Sequence, residues 1–471
     1  MAAIDGTVVG IALPSIGRQF HAPLSTLQWV VTGYTLSLAA LLLLGGSLGD
    51  RNGRRLVFNV GVVWFAVASA ACALSPNTDV LIATRVLQGV GAALLTPGSL
   101  AIIHASFEPA DRSQAIGAWS GLGGVATAAG PFLGGYLISA ASWRWIFVIN
   151  IPLGALVLFA STRHVPETKD PTASGRVDVP GAVMAVIGLT GVTFALIEGP
   201  TLGWTAPLVL AMFVAGASGI IAFVLVERRS TAPMLPLSLF RERQFTVTNA
   251  VTFLIYAALG GVLFLLPVEL QVVNHYSPLA SGVALLPITL IMLLFSARSG
   301  QLAARIGPRL QMSVGPVVVG TGLALLARST TESSYVSGVL PAMIVFGIGL
   351  AVTVAPLTST ALGAVADQHA GIASAVNNDV ARVGGLIAVA VLPTLAGISG
   401  SSYLHASELS GGFRSAVLIA GSWCFFAGVV SAIGIRNPAR RMEESIEGSS
   451  PGEEAVEPCW HCALDGAPLS S

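Results

Sequence analysis

The sequence predicts an all-α polytopic membrane protein of fourteen membrane-crossing helices, built as two six-helix bundles plus two extra helices. Three observations predict it. Of the 471 residues, 54% are hydrophobic and 10% charged, whereas soluble domains carry about 25% charged residues. Too few polar side chains exist to cover a soluble core of this size. The apolar residues gather into fourteen spans, most near the ~20 residues that a helix needs to cross the hydrocarbon. A polar loop after the second span recurs after the tenth. The formal net charge of +0 gives nucleic-acid binding no electrostatic support. The four cysteines form no disulfide framework.

The spans lie near 2–16, 27–48, 56–74, 80–103, 115–138, 145–161, 179–199, 206–226, 246–270, 279–298, 312–327, 336–361, 371–397 and 413–435. The first is short and meets Pro14 almost at once, so either a start lies upstream or the span is truncated. If the N-terminus is cytoplasmic, seventeen Arg and Lys fall on the cytoplasmic side and four outside, with Arg85 and Arg382 inside spans. That imbalance places both termini in the cytoplasm. The repeat is Gly46-x-x-x-Asp50-Arg51-x-Gly53-x-Arg55 against Gly300-x-x-x-Ala304-Arg305-x-Gly307-x-Arg309, offset by 254 residues at every matched position. Parallel halves are one plan for transporters. The expected organisation is an N-terminal half over 1–161, a linker over 162–178, an extra hairpin over 179–226, a linker over 227–245, a C-terminal half over 246–435, and a disordered cytoplasmic tail over 436–471. The tail carries Cys459 and Cys462 with His461 between them. With no second pair nearby, a plain tail motif is favoured over a metal or redox site, and no metal is expected.

The fifth span holds Gly117, Gly121, Gly124, Gly130, Pro131, Gly134 and Gly135. Glycines four apart bare one helix face, so a neighbour can approach closely. Pro131 removes a backbone donor and bends the helix. This reads as a pivot, or more blandly as helix packing.

An ionisable residue deep in a span costs about 2.5–3.5 kcal/mol on insertion scales, so Asp5, Arg85, Asp379 and Arg382 stand out. Glu198 and Glu269 lie near span ends and are expected to reach water. Asp5 can take up and release a proton as water access changes, or it can be held permanently by a basic partner. Arg85 shares a helical face with Gln88, Gly89, Ala92 and Thr96, so that face should look into the bundle. There Arg85 either tunes a carboxylate or ties its helix to a carbonyl. Asp379 and Arg382 are three apart. They read as a self-neutralising pair or, with Asn377 and Asn378, as part of a substrate surface. In the loop holding Gly46, Asp50, Arg51, Gly53, Arg54 and Arg55, Asp50 can sit against a helix N-terminus or an arginine of the other half and latch one state.

Together these residues resemble the major facilitator superfamily, in its fourteen-span drug:proton antiporter branch. Gly46–Arg55 looks like the superfamily's loop between spans two and three. Arg85-Val86-Leu87-Gln88-Gly89-Val90-Gly91 is similar to the proton-coupling motif of span four. Gly124 through Gly130-Pro131 to Gly134-Gly135 is similar to the span-five motif of exporters. Asp5-Gly6-Thr7 with Pro14 resembles the branch's span-one motif, and Trp143-Arg144-Trp145 through Asn150 to Gly154 its span-six start. Related exporters mostly carry a small or uncharged residue where Asp379 stands. The resemblance implies export of amphipathic compounds in exchange for protons, with no cofactor beyond the proton gradient.

The resulting expectation is a bacterial plasma-membrane exporter, monomeric, working by alternating access on small amphipathic substrates, lipophilic or weakly cationic. Asp5 would carry the proton and Arg85 would tune it. The alternatives are an importer on the same fold, or a membrane enzyme or scaffold without transport.

Overall fold

The computed structural model describes residues 1–106, 109–169, 178–230, 233–328, 334–365 and 370–437. The tail with Cys459 and Cys462 and the middle of the first expected linker lie outside the described residues. The helices are α1 Ala2–Phe20, α2 Leu24–Asn52, α3 Arg54–Ala73, α4 Thr78–Ser106, α5 Pro109–Ala140, α6 Trp145–His164, α7 Val179–Leu202 and α8 Pro207–Arg229, then α9 Arg243–Val272, α10 Pro278–Ile306, α11 Pro308–Leu326, α12 Tyr335–Gly363, α13 Ala370–Leu395 and α14 Ala406–Gly434. Among the described residues there is no strand.

Among the described residues thirteen helices, α2 to α14, are long and apolar enough to cross a membrane. The first falls short of that measure, yet it does not stop at Pro14. It runs 19 residues to Phe20, with residues 11–14 fully buried. Prolines also sit inside α4, α5, α9 and α13. Membrane helices tolerate them because neighbouring groups satisfy the freed carbonyls. Helix starts follow ordinary capping chemistry: the Asp178 side chain accepts from Gly181 N–H at α7, and Ser277 does the same for Ala280 at α10.

Packing repeats with a step of eight helices. α1 packs on α5, α2 and α3 on α4, and α3 on α6; likewise α9 packs on α13, α10 and α11 on α12, and α11 on α14. The two sets of six meet through α1 with α9, α2 with α13 and α5 with α10, which keeps the same step. The two extra helices, α7 and α8, pair with each other, and α7 lies against α2 and α13. Trp29 of α2 donates to Glu198 of α7 at 2.8 Å, so that half-buried carboxylate has a partner in α2.

The repeated loop folds alike in both copies. Gly53 has φ +122° and Gly307 φ +85°, a backbone region that glycine enters without a steric penalty. Each ends one helix and starts the next. Arg55 Nη1 then reaches Val165 O beyond the end of α6 at 2.8 Å, and its counterpart Arg309 reaches Ala432 O near the end of α14 at 2.7 Å. The connecting segment before α9 packs onto the bundle, since its Leu239 is buried with Phe245 of α9 and with Ala373 and Val376 of α13.

Candidate functional site

One buried cluster joins α1, α3, α4 and α6. Asp5 is 0% and Arg85 1% exposed. Arg85 Nη1 donates to Asp5 Oδ2 and to Gln88 Oε1, each at 2.5 Å, and its Nε donates to Val30 O at 3.1 Å. The guanidinium lies 4.3 Å from the Tyr34 ring centroid, a cation–π contact in a desolvated place. Asp5 Oδ1 accepts from Gln88 Nε2 at 2.9 Å and from Asn150 Nδ2 at 3.1 Å, and Gln88 also donates to Ser69 Oγ at 2.7 Å. Three donors therefore converge on this one carboxylate. The expected α4 face is real, because Arg85, Gln88 and Ala92 are all buried.

Beside this cluster lies a cavity of about 790 Å³ between the two sets of helices. Arg85 borders it with Thr32, Tyr34 and Thr35 on one side, and Tyr256, Phe264, Met292 and Arg382 on the other. Asp5 does not line it, so Arg85 stands between the carboxylate and the cavity.

On α5 the glycines divide into two kinds. A Cβ at Gly130 would meet Thr7 Oγ1, and one at Gly134 would meet Val8. At Gly135 it would stand 2.5 Å from Pro278 O and 2.8 Å from Leu279 Cα, while Gly282 of α10 presses on Pro131 O. Here bare backbone admits both sets of helices, as small-residue faces do. Gly121 and Gly124, by contrast, have nothing within 4 Å and border the cavity. Gly117 falls outside the residues whose surroundings are described. Hydrogen bonds joining the two sets gather near the closely packed end of α5, on the side of the α1–α2 turn. Gln28 Nε2 donates to Val389 O at 2.6 Å, Gln271 Nε2 to Ile11 O at 2.9 Å, and Tyr403 Oη to Ala22 O at 2.7 Å. Burial pushes the Tyr403 phenol up to about 12, so it remains a donor across the physiological range. Glu269 of α9 is 6% exposed with Oε2 unpartnered. The expectation that it reaches water therefore fails.

Three further expectations are corrected. Asp379 and Arg382 form no ion pair; Asp379 Oδ1 and Arg382 Nε are both enclosed without a hydrogen-bond partner. Arg382 shares the cavity face of α13 with Gly385, Leu386 and Val389, and Asp379 is not on it. The spacing makes them neighbours without aiming one at the other. Nor do Asn377, Asn378 and Gln88 line the cavity. Asn377 Nδ2 binds Thr252 Oγ1 of α9 at 2.8 Å, and Asn378 binds its own helix at Ser374 O at 2.9 Å. In the loop, Asp50 pairs with Arg54 of its own loop at 2.8 Å rather than with a helix N-terminus or the other set. Such an exposed i,i+4 pair is worth about 0.3–0.5 kcal/mol. The α3 N-terminus is held instead by Glu167, whose oxygens accept from Arg55 and Leu56 N–H, each at 3.0 Å.

Comparison with known proteins settles the fold family. The family model described as Major Facilitator Superfamily matches residues 1–390. The chain belongs to the major facilitator superfamily. Among its relatives, Multidrug resistance protein Stp of Mycobacterium tuberculosis is 36% identical over 83% of this chain and 73% of that protein. Puromycin resistance protein pur8 of Streptomyces alboniger is 37% identical over 86% and 81%. The Tetracenomycin C resistance and export protein of Streptomyces glaucescens is 36% identical over 84% and 73%. Among solved structures, the bacterial homolog of the human lysosomal transporter Spinster superposes with a TM-score of 0.65 at 16% identity, covering 93% of this chain and 96% of that one. The superfamily fold of two six-helix bundles plus two extra helices is thus the fold of this chain, and its class is transporter rather than enzyme.

Sequence reasoning missed Ser69 and Glu167. Ser69 lies in an apolar span and Glu167 in a loop, and neither carries a spacing signal. It placed Asn150 only as part of a motif.

Proposed function

We propose that this superfamily member is a proton-coupled exporter of amphipathic drugs or secondary metabolites, working by alternating access in the bacterial plasma membrane. The observation that carries the reading is the buried Asp5–Arg85 pair, whose arginine borders a central cavity, in a chain whose relatives are named for drug resistance and export.

The halves are residues 1–161 and 246–435, the hairpin 179–226 is the extra element, and the linkers and the tail from 436 lie in the cytoplasm with both termini. The working unit is a monomer. On that orientation the closely packed α1–α2 side faces outward and the cavity opens inward past Gly121 and Gly124. Substrate enters from the cytoplasm or inner leaflet. The pair then switches: as the cavity turns outward, a proton reaches Asp5, the Arg85 contact weakens and cargo leaves. When the cavity turns inward again the proton departs and the pair reforms. Gly130, Pro131, Gly134 and Gly135 form the flexing segment. The Gly46–Arg55 loop, with Asp50, Arg51, Gly53, Arg54 and Arg55, braces the inner ends.

Everted vesicles test this reading. With an acid interior imposed, a compound to which the gene confers resistance accumulates inside. Accumulation driven instead by an acid exterior identifies an importer.

A further inference from the structure

The central cavity holds two guanidinium groups and no carboxylate among its described lining residues. Arg85 is taken up by Asp5, Gln88 and Val30 O. Arg382 is not: no ion pair forms with it, and its Nε is enclosed without an acceptor. Asp379 stands three residues away off the cavity face and forms no ion pair with it. Arg382 is half-buried on the cavity wall, and a guanidinium with no ion-pair partner in an otherwise apolar lining favours an anion over a cation. Around it the lining is apolar, with Tyr256, Phe264, Met292 and Leu386 to receive a hydrocarbon or aromatic body. A cationic cargo would find two positive groups there and no partner.

We propose that the cargo is an amphipathic anion, such as a carboxylate, enolate or phenolate on an apolar body, whose charged head is held by Arg382. The assignment rests on the exporter reading of the same cavity and reverses the expectation of weakly cationic substrates.

Tetraphenylborate and tetraphenylphosphonium, matched in shape and opposite in charge, test the proposal by equilibrium dialysis against the protein in nanodiscs, with empty nanodiscs as the blank. The wild type is expected to bind the borate about tenfold or more tightly than the phosphonium. Arg382→Gln should weaken the borate about tenfold and leave the phosphonium unchanged or tighter, a tenfold loss being about 1.4 kcal/mol. Arg382→Lys should retain part of the preference. Ala381→Asp, which puts a carboxylate on the same lining and keeps the guanidinium, should weaken the borate in the same sense, so the test survives if the glutamine variant does not fold. Equal or tighter phosphonium binding by the wild type, or unchanged borate binding in both Arg382→Gln and Ala381→Asp, overturns the proposal. The exporter reading fails separately: acid-driven transport that is indifferent to residue 382 keeps that reading and removes this one. Borate binding through Arg382 with no transport of any kind does the reverse.

Discussion

At the residue scale, Asp5 is where the energetics and the proposed function meet. It and Arg85 are fully buried, and each satisfies the other. Removing one partner of such a pair costs about 3–5 kcal/mol, because the survivor is left as an uncompensated buried charge. Asp5→Asn is therefore expected to lower the unfolding free energy by about that amount, read as a drop in melting temperature in detergent. Arg85→Lys should also destabilise, since an ammonium cannot reach Asp5, Gln88 and Val30 O together. Equal stability of both variants with wild type would show that the pair is not a closed unit. Much of this residue-scale picture was legible. The offsets of 3, 4 and 7 along α4 place Gln88, Gly89 and Ala92 on one face with Arg85 without any structure. The contact itself was not legible, since 80 residues separate Asp5 from Arg85 and only the fold brings them together. The Asp379–Arg382 spacing misled, because adjacency on a helix does not say which way each side chain turns.

At the element scale, α5 carries opposite demands at its two ends. Gly135 faces the Pro278 backbone, which cannot give way, so Gly135→Ala should separate α5 from α10 and destabilise the state seen here. Gly121 has open space, and alanine in a helix is favoured over glycine by about 0.8–1 kcal/mol. Gly121→Ala should therefore leave the melting temperature level or raise it. If the open end of α5 must close during the cycle, that same variant lowers transport; a stable, fully active Gly121→Ala would show that this end never receives a neighbour. The glycine spacing was plain in the sequence, but the division into packed and open glycines depends on which side of the molecule is shut. The α2–α3 turn makes a second element-scale case. Gly53 sits at φ +122°, and a side chain there costs about 1–3 kcal/mol. Gly53→Ala should destabilise by that order in a thermal melt, whereas Asp50→Asn, which loses only an exposed pair, should change stability by under about 1 kcal/mol.

At the scale of the whole molecule, two six-helix sets repeat the same packing and meet across a cavity tightly joined at one side. The repeat was readable because a 254-residue offset preserved the turn glycines, whose backbone conformation no other residue adopts as easily. The extra hairpin's seat against α2 and α13 had no sequence signal, since an all-round apolar helix does not declare its neighbour. The central claim is that proton exchange at Asp5 drives cargo across this cavity. It is tested most directly in proteoliposomes by comparing two modes in wild type and Asp5→Asn: substrate counterflow without a gradient, and uphill transport driven by acidity. The account predicts that Asp5→Asn keeps counterflow and loses gradient-driven accumulation together with substrate-induced proton movement. Gradient-driven accumulation at the wild-type rate in Asp5→Asn would contradict it.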